Sequence, residues 1–296
     1  MKILFMGTPD YAELILESLI NKYEMVGVYT QPDKPVGRKK IVTPPPVKVL
    51  AQKYNIEVFQ PNNLKNESEN IKKLDPDFIV VAAFGMILPK EILDIAPCIN
   101  LHASLLPKYR GASPIQSAIL NEDKFTGITA MKMDVGLDTG DVLAYEYCEV
   151  ANKTAPELFD ELAKIAANLT PFVIDNYKKI EPLKQIDAIT SYSPKIKKED
   201  GEIDFDDANK IYRKYLAFYY WPGIFTKKFK LKKIALVDQS SSNVAGEILE
   251  IKKESIVVGC QKGSVEIFEI QPHSKKAMNI IDYLNGRGLK IGDNLL

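Results

Sequence analysis

Asn100 and His102 stand two residues apart at the end of the apolar run Pro97-Cys98-Ile99. On a β-strand that spacing puts both side chains on one face. An amide donor and an imidazole would then aim at the same point. His102 is one of only two histidines in the chain. Further along, Met133-Asp134-Val135-Gly136-Leu137-Asp138-Thr139-Gly140-Asp141 reads as a glycine-punctuated turn dense in carboxylates. Asn, His and Asp together can run acyl transfer without a covalent enzyme intermediate. The amide stabilises an oxyanion, the imidazole moves a proton or adds positive charge, and the carboxylate orients and charges the imidazole. Asp138 alone carries less information, because Asp-Thr-Gly also makes an ordinary turn.

Between these groups lies Ser104-Leu105-Leu106-Pro107-Lys108-Tyr109-Arg110-Gly111. No G-x-S-x-G elbow surrounds Ser104, so it reads as a turn residue rather than a nucleophile. Arg110 could clamp a phosphate, clamp a carboxylate or form a structural ion pair, and a structural or positioning role is expected. Gly7 follows an apolar strand, but Pro9 and Ala12 occupy later glycine positions of a dinucleotide fingerprint. A nicotinamide cofactor is therefore not expected, and no P-loop is present. Cys98, Cys148 and Cys260 are too scattered for a disulfide framework or a C-x-x-C zinc site.

The elements that must hold these residues follow from hydrophobic patterning. Lys2–Met6, Met25–Thr30, Ile56–Phe59, Phe78–Ala83, Cys98–Leu101 and Gly127–Met133 read as strands. Thr8-Pro9 should open a helix, with Thr8 as its N-cap. Further helical patterns cover Val47–Tyr54, Ser68–Leu74, Pro114–Leu120 and Thr154–Tyr177. Alternating apolar strands and helices predict an α/β domain with a parallel sheet covered on both faces. Its ligand crevice would lie beyond the C-terminal strand ends.

After this domain comes a polar, proline-containing stretch that reads as a linker. The expected division is a catalytic domain over 1–184, a linker over 185–205 and a C-terminal domain over 206–296. Asp206 or Asp207 can cap a helix to about Tyr219. Short β-rich segments follow at Ile234–Val237, Ala245–Ile251, Ser255–Gly259 and Val265–Gln271, the pattern of a small barrel.

The formal net charge is zero over 296 residues, but its distribution is uneven. Residues 207–296 carry 15 basic and 9 acidic side chains, against 24 and 30 before them. Such asymmetry fits a C-terminal part that meets a polyanion, or a solvated lysine-rich face. Lys34, Arg38, Lys39 and Lys40 lie among Gly37 and five prolines at 32, 35, 44, 45 and 46. Helix and strand are disfavoured there, which predicts a mobile basic loop. It could grip phosphate or wedge into the end of an acceptor, or be merely soluble. No apolar run approaches the ~20 residues of a membrane span, and reduced, scattered cysteines fit a cytoplasmic setting.

The motifs taken together resemble one family nearly end to end. Gly7-Thr8-Pro9, Gln31–Arg38, Pro46-Val47-Lys48, Val80–Pro89, the Asn100–Gln116 block and Met133–Asp141 carry the match in the first part. Asp200-Gly201-Glu202-Ile203-Asp204, Trp221-Pro222-Gly223, Lys275–Met278 and Tyr283–Arg287 carry it in the second. The chain is similar to the methionyl-tRNA formyltransferases; the S-L-L-P-x-x-R-G block alone marks the wider folate-dependent formyltransferases. Ala103 and Asp10-Tyr11 depart from the usual Gly and Glu-Phe.

The resemblance implies a Rossmann-like formyltransferase fold with a C-terminal OB-like β-barrel that contacts tRNA. It implies 10-formyltetrahydrofolate as formyl donor and the α-amine of initiator methionyl-tRNA as acceptor, with no metal, no DNA and no membrane. By the same resemblance Asn100, His102 and Asp138 are catalytic. Ser104, Leu105, Leu106 and Pro107 contact folate, with Phe84–Leu88 and the Val135–Leu137 turn holding the pterin. Arg38, Lys39 and Lys40 reach the tRNA. A cytoplasmic monomer is expected. The alternatives are a folate-dependent formyltransferase or formyltetrahydrofolate hydrolase acting on a small molecule, and a non-catalytic RNA-binding protein. A small acceptor needs neither the basic loop nor the barrel, and a non-catalytic protein does not need the intact Asn, His and Asp.

Overall fold

Five short apolar runs build the centre of the first unit. They are β1 (Lys2–Gly7), β2 (Glu24–Tyr29), β5 (Val58–Phe59), β6 (Phe78–Ala82) and β7 (Cys98–His102). The computed structural model describes residues 1–37 and 39–296. The helices of this unit are α1 (Asp10–Ile20), α2 (Pro46–Lys53), α3 (Ser68–Leu74), α4 (Lys90–Leu93) and most of α6 (Ala155–Asn176). Ile3, Leu4, Phe5, Ile79, Val80 and Ile99 are fully buried. Alternate residues of each strand serve opposite layers: Leu4, Met6, Ile79 and Val81 pack with Ile71 of α3 and Ile92 of α4, while α1 contacts β1, β2 and β6. Near-continuous apolar strands are what a sheet covered on both faces requires.

The sheet expected to be parallel is mixed. Its order is β10-β9-β7-β6-β1-β2-β5, where β9 is Phe125–Lys132 and β10 is Val142–Glu149. The five strands from β7 to β5 run parallel, whereas β9 is antiparallel to β7 and β10 to β9. A parallel return needs a crossover of a dozen or more residues, and the turn between β9 and β10 is too short for one. β10 itself, with exposed Glu146 and Tyr147, lacked the apolar run that marked the other strands.

Two local expectations also differ. Helix α1 starts at Asp10, and Thr8 does not cap it. The Thr8 hydroxyl instead donates to Phe84 O (3.2 Å) and accepts from Gln31 N (3.4 Å), tying together the ends of three strands. The basic segment is not an irregular loop: β3 (Lys34–Val36) and β4 (Ile41–Thr43) pair as an antiparallel hairpin. The β-branched residues Val36, Ile41, Val42 and Thr43 favour this, and Gly37 (φ 70) and Lys40 (φ 49) make its turn.

The segment expected as a linker divides. Residues up to Pro194 belong to the first unit, and those from Lys195 to the second. Within the first unit β11 (Tyr192–Ser193) pairs in parallel with β8 (Arg110–Gly111). The second unit also takes in Ile115–Asp123, most of α5 (Pro114–Leu120), and Val150–Glu157. There Arg213 Nη1 donates to Leu120 O (2.9 Å).

The second unit opens with α7 (Ala208–Ala217), capped by Asp207, whose carboxylate accepts from the N–H groups of Asn209 and Lys210. Its strands are β12 (Ile224–Phe225), β13 (Phe229–Asp238), β14 (Ile248–Ile251), β15 (Ile256–Gly259), β16 (Ser264–Pro272) and β17 (Met278–Asn279). They form an antiparallel sheet in the order β12-β13-β16-β15-β14, with β17 on β16. One core gathers Phe205, Ile211, Phe229, Ile267 and residues of α8 (Ile280–Asn285). Among the described residues no helix is long and apolar enough to cross a membrane.

The three cysteines are all buried. Burial pushes the thiols of Cys98 and Cys260 up to about 12, Cys260 with help from the nearby Asp206 and Asp207 carboxylates. At pH 8 the native protein should react with a thiol reagent far more slowly than the urea-unfolded chain, which should titrate all three thiols. Fast labelling of the native protein would contradict this packing.

Candidate active site

Strand β7 delivers Asn100 and His102 to one face of the sheet, while Ile99 and Leu101 fill the other. Opposite them on β9 stand Met131 and Thr129. Asn100 is half-buried and His102 is buried. The Tyr11 hydroxyl donates to Leu101 O at 3.1 Å, so the departure from phenylalanine at this position adds a buried tie to β7.

Of the three carboxylates in the Met133–Asp141 turn, one reaches the pair. Asp138 Oδ2 lies 3.7 Å from His102 Nδ1, and Asp138 Oδ1 accepts from Asn100 Nδ2 at 3.5 Å. Oδ2 also accepts from Gly111 N at 2.8 Å. Asp134 is absorbed by its own turn, where Oδ1 accepts from Gly136 N (3.0 Å) and the Thr139 hydroxyl (2.5 Å). Local chemistry did not rank these carboxylates, because all three have turn-compatible neighbours; the family resemblance had singled out Asp138.

The approach of Asp138 differs from the simple crevice that a parallel sheet implies. His102 does end β7, but β9 runs the other way. The turn therefore leaves β9 beside Cys98, with Met133 N donating to Cys98 O at 2.8 Å. It then returns to the level of Asn100. The site lies on the face of β7 and β9 rather than only beyond the strand ends.

His102 is clamped from both sides. Nε2 stands 2.9 Å from Tyr109 O, a carbonyl that can only accept, so Nε2 carries a proton. Nδ1 faces the carboxylate. Both flanking residues hold left-handed backbone, Tyr109 at φ 59 and Asp138 at φ 53. Such conformations persist where surrounding contacts fix them, and they concentrate at functional sites.

Those contacts come from residues that the sequence reading did not single out. Gln185 Nε2 donates to Asp138 O and Gly140 O, both at 2.8 Å. Gln185 Oε1 accepts from Arg110 Nε (3.0 Å) and Nη2 (2.8 Å), and Arg110 also pairs with Asp187. Arg110 is 3 % exposed, so its role is to brace the site from below. The Ser193 hydroxyl donates to Tyr109 O at 3.2 Å, and Tyr109 N donates to the Ser191 hydroxyl at 2.9 Å. These serines sit in a polar stretch without periodicity, which offered no signal. Glycine is required at two points here. A Cβ on Gly140 would lie 1.8 Å from Lys132 O, and Gly111 combines φ 117 with a 2.6 Å approach to Ser193 O.

The Ser104–Pro107 segment folds over the same face. Ser104 is fully buried and its hydroxyl donates to Lys108 O at 2.6 Å, the turn role read from sequence. Leu106 N donates to the Thr129 hydroxyl (3.0 Å), and the Tyr145 hydroxyl donates to Leu106 O (2.6 Å). Leu106 and Pro107 are buried and Leu105 is half-exposed. Val135 and Leu137 are 73 % and 58 % exposed in the turn that carries Asp138, and Ile87 is 87 % exposed after β6.

Lys39 and Lys40 lie in the exposed turn between β3 and β4, and Arg38 lies outside the described residues. The base of this hairpin is pinned. Lys48 Nζ reaches both Asp33 carboxylate oxygens at 2.9 Å, and Gln60 Nε2 donates to Oδ1 at 2.8 Å. The Lys48 contact, helped by Gln60, holds the Asp33 carboxyl below its ordinary range.

Comparison with known proteins bears on this arrangement. The formyl transferase family matches residues 1–174, and the formyl transferase C-terminal domain family matches residues 195–288. The chain is 56% identical over 299 residues to the methionyl-tRNA formyltransferase of a Nitratiruptor species, covering 99% of both chains. Among solved structures, methionyl-tRNA formyltransferase from Clostridium thermocellum is 25% identical, with a TM-score of 0.55 over 88% of this chain and 100% of that one. HypX from Aquifex aeolicus, solved in complex with tetrahydrofolic acid, shares the fold at 17% identity and a TM-score of 0.68. That alignment covers 99% of this chain but only 48% of HypX, so this chain spans about half its length.

Gln185→Ala should remove the support of the Asp138 turn and take the Oε1 acceptor away from the buried Arg110 guanidinium, which keeps its pairing with Asp187. The expected cost is about 1–3 kcal/mol in urea unfolding. Gln185→Glu should keep the partner of Arg110 but lose both donors to the turn. It should therefore recover much of the stability and leave turnover impaired. Full recovery of both would show that Gln185 does not position Asp138.

Proposed function

The chain belongs to the methionyl-tRNA formyltransferase family, and from that premise we propose that it formylates the α-amine of methionine on initiator tRNA, with 10-formyltetrahydrofolate as donor, for translation initiation. The observation that carries this reading is the meeting of Asn100, His102 and Asp138 in a chain so similar to named relatives along its whole length. The family uses folate-derived formyl donors. The donor supplies a formyl carbonyl and a nitrogen leaving group, and the exposed Val135 and Leu137 beside Asp138, with Leu105, are the residues that would hold its pterin.

The residues then have distinct tasks. Asn100 Nδ2 has the spare donor capacity in this group, since its contact to Asp138 is long at 3.5 Å. It donates to the oxyanion that forms when the neutral methionyl amine adds to the formyl carbon. His102 keeps Nε2–H on Tyr109 O and offers Nδ1 to the proton released by the amine. Asp138 stabilises the positive charge that this places on the ring, and the same proton passes to the donor nitrogen as its bond to the formyl carbon breaks and tetrahydrofolate leaves. Gly111 N–H and Gln185 keep the carboxylate and its turn in place during the change.

The tRNA is assigned to Arg38, Lys39 and Lys40 and to the basic side chains after residue 206. A cytoplasmic enzyme that uses no metal fits the chemistry derived above. The decisive assay offers the folate donor with charged initiator tRNA, charged elongator tRNA or small amines, and follows formyl transfer. Transfer only to small amines would replace the tRNA reading with the small-molecule alternative.

Asn100→Ala should lower kcat by roughly 10²–10³ while folate affinity changes far less, because the oxyanion exists only along the reaction path. Near-normal turnover would remove Asn100 from the chemistry.

His102→Ala should cost on the order of 10²–10⁴ in rate. Asp138→Asn keeps the size of the side chain and removes its charge. If the two act as a unit, the double variant should be little slower than the slower single variant. Additive losses in single-turnover rates would show independent roles.

A further inference from the structure

The second unit carries an aromatic run that its core does not absorb. Tyr212, Tyr215, Tyr219 and Tyr220 follow α7 and its C-terminal turn, with successive ring centroids 6.2, 5.7 and 5.5 Å apart. The first pair is stacked at 26°, and the next two meet edge to face at 62° and 73°. Exposure rises along the run. Tyr212 and Tyr215 pack against the core, Tyr219 is 44 % exposed and Tyr220 is 82 % exposed. Trp221, next in the chain, is 55 % exposed. Large exposed rings in a row are unfavourably hydrated and mark surfaces that meet a partner.

Lysines border this run. The stretch Lys227-Lys228-Phe229-Lys230-Leu231-Lys232-Lys233 places five lysines in seven residues. Phe229 and Leu231 enter the core, while Lys232 and Lys233 are exposed. Helix α7 packs on this strand, which brings Tyr215 close to Ile234. Ile224 pairs with Leu231, so the chain entering β12 from Trp221 passes beside Lys232. Lys233 Nζ stands 5.3 Å from the centre of the Phe268 ring. The acidic neighbour is Glu269, opposite Lys233 in the ladder and close to Tyr215.

The chemistry of the surface selects its occupant. Lysine is depleted in the contact surfaces of protein partners. Exposed aromatic rings interleaved with lysine are what unpaired nucleic acid requires, with cations on the backbone and rings under the bases. The excess of basic over acidic groups after residue 206 has the same sign. We propose that Tyr219, Tyr220 and Trp221, flanked by Lys232 and Lys233, form a stacking platform for an unpaired nucleotide of the tRNA. This rests on the reading that tRNA carries the acceptor. It adds to phosphate attraction a contact that salt screens weakly.

Trp221 is the only tryptophan in the chain, so its emission reports on the platform directly. The full-length protein is titrated with uncharged tRNA, with a short single-stranded oligoadenylate and with heparin, a polyanion that lacks bases. Both RNAs should quench Trp221, and heparin should leave its emission nearly unchanged. Absence of quenching at tRNA concentrations that saturate formyl transfer overturns the platform, and so does equal quenching by heparin. Tyr220→Ala should raise KM for charged tRNA roughly 5–100-fold, the effect of losing one base–ring stack, with kcat little changed. Tyr220→Phe should restore KM because the ring remains. Exposure of Tyr220 leaves the core intact, which an unchanged unfolding midpoint checks, and an unchanged KM in Tyr220→Ala refutes the proposal. Formyl transfer to charged tRNA without quenching defeats the platform alone. Quenching by tRNA without any formyl transfer defeats the formylation reading alone.

Discussion

A nearly enclosed carboxylate sets the terms for the rest of the first unit. The Asp138 side chain is 13 % exposed, and a charge removed from water is tolerated only where donors and partners replace it. Gly111 N–H and the Asn100 amide supply that replacement, and His102 Nδ1 stands 3.7 Å away, where a proton gained by the ring would face the carboxylate. They arrive from strand β7 and from the loop that follows it, while Asp138 comes from the turn after β9. The arrangement of β7, the β9–β10 turn and the loop after His102 therefore satisfies one electrostatic requirement.

The reversal of β9 makes the meeting possible. An antiparallel partner for β7 places Thr129 opposite His102, where its hydroxyl receives Leu106 N and holds the loop down. The same reversal lets a short turn carry Asp138 back over the face. The stretch from Leu183 to Ser193 closes the arrangement. Leu183 pairs with Val142, Gln185 grips the turn, and β11 lies along Arg110 and Gly111. A segment of connecting chain thus acts as a brace, and the left-handed conformations of Tyr109 and Asp138 are held by it.

The second unit obeys different physics. Its antiparallel sheet and α7 enclose one apolar core, while its outer residues carry the lysines and exposed rings. In the first unit the charged groups matter through burial and exact neighbours. In the second they matter through number and exposure, as suits a polyanion whose phosphates are read collectively. On the function proposed above, chemistry and grip fall to surfaces with opposite demands on water.

The amino-acid sequence alone determined what depends on neighbours a few residues away. Apolar runs marked β1, β6 and β7, helical spacing bounded α3 and α5, and the two-residue step from Asn100 to His102 placed them on one face. It also determined the charge imbalance and the motifs that carry the family resemblance. The family resemblance had singled out Asp138, but the contact that brings it to His102 was set by the tertiary structure, since Asp134, Asp138 and Asp141 share one turn and local chemistry does not separate them. The tertiary structure alone decided the direction of β9, because side-chain alternation is the same in parallel and antiparallel strands. The brace from Gln185 to Ser193 was equally hidden. Its hydrogen bonds join residues about 40 to 80 positions apart in the chain, and such pairings leave no periodic trace in a polar segment.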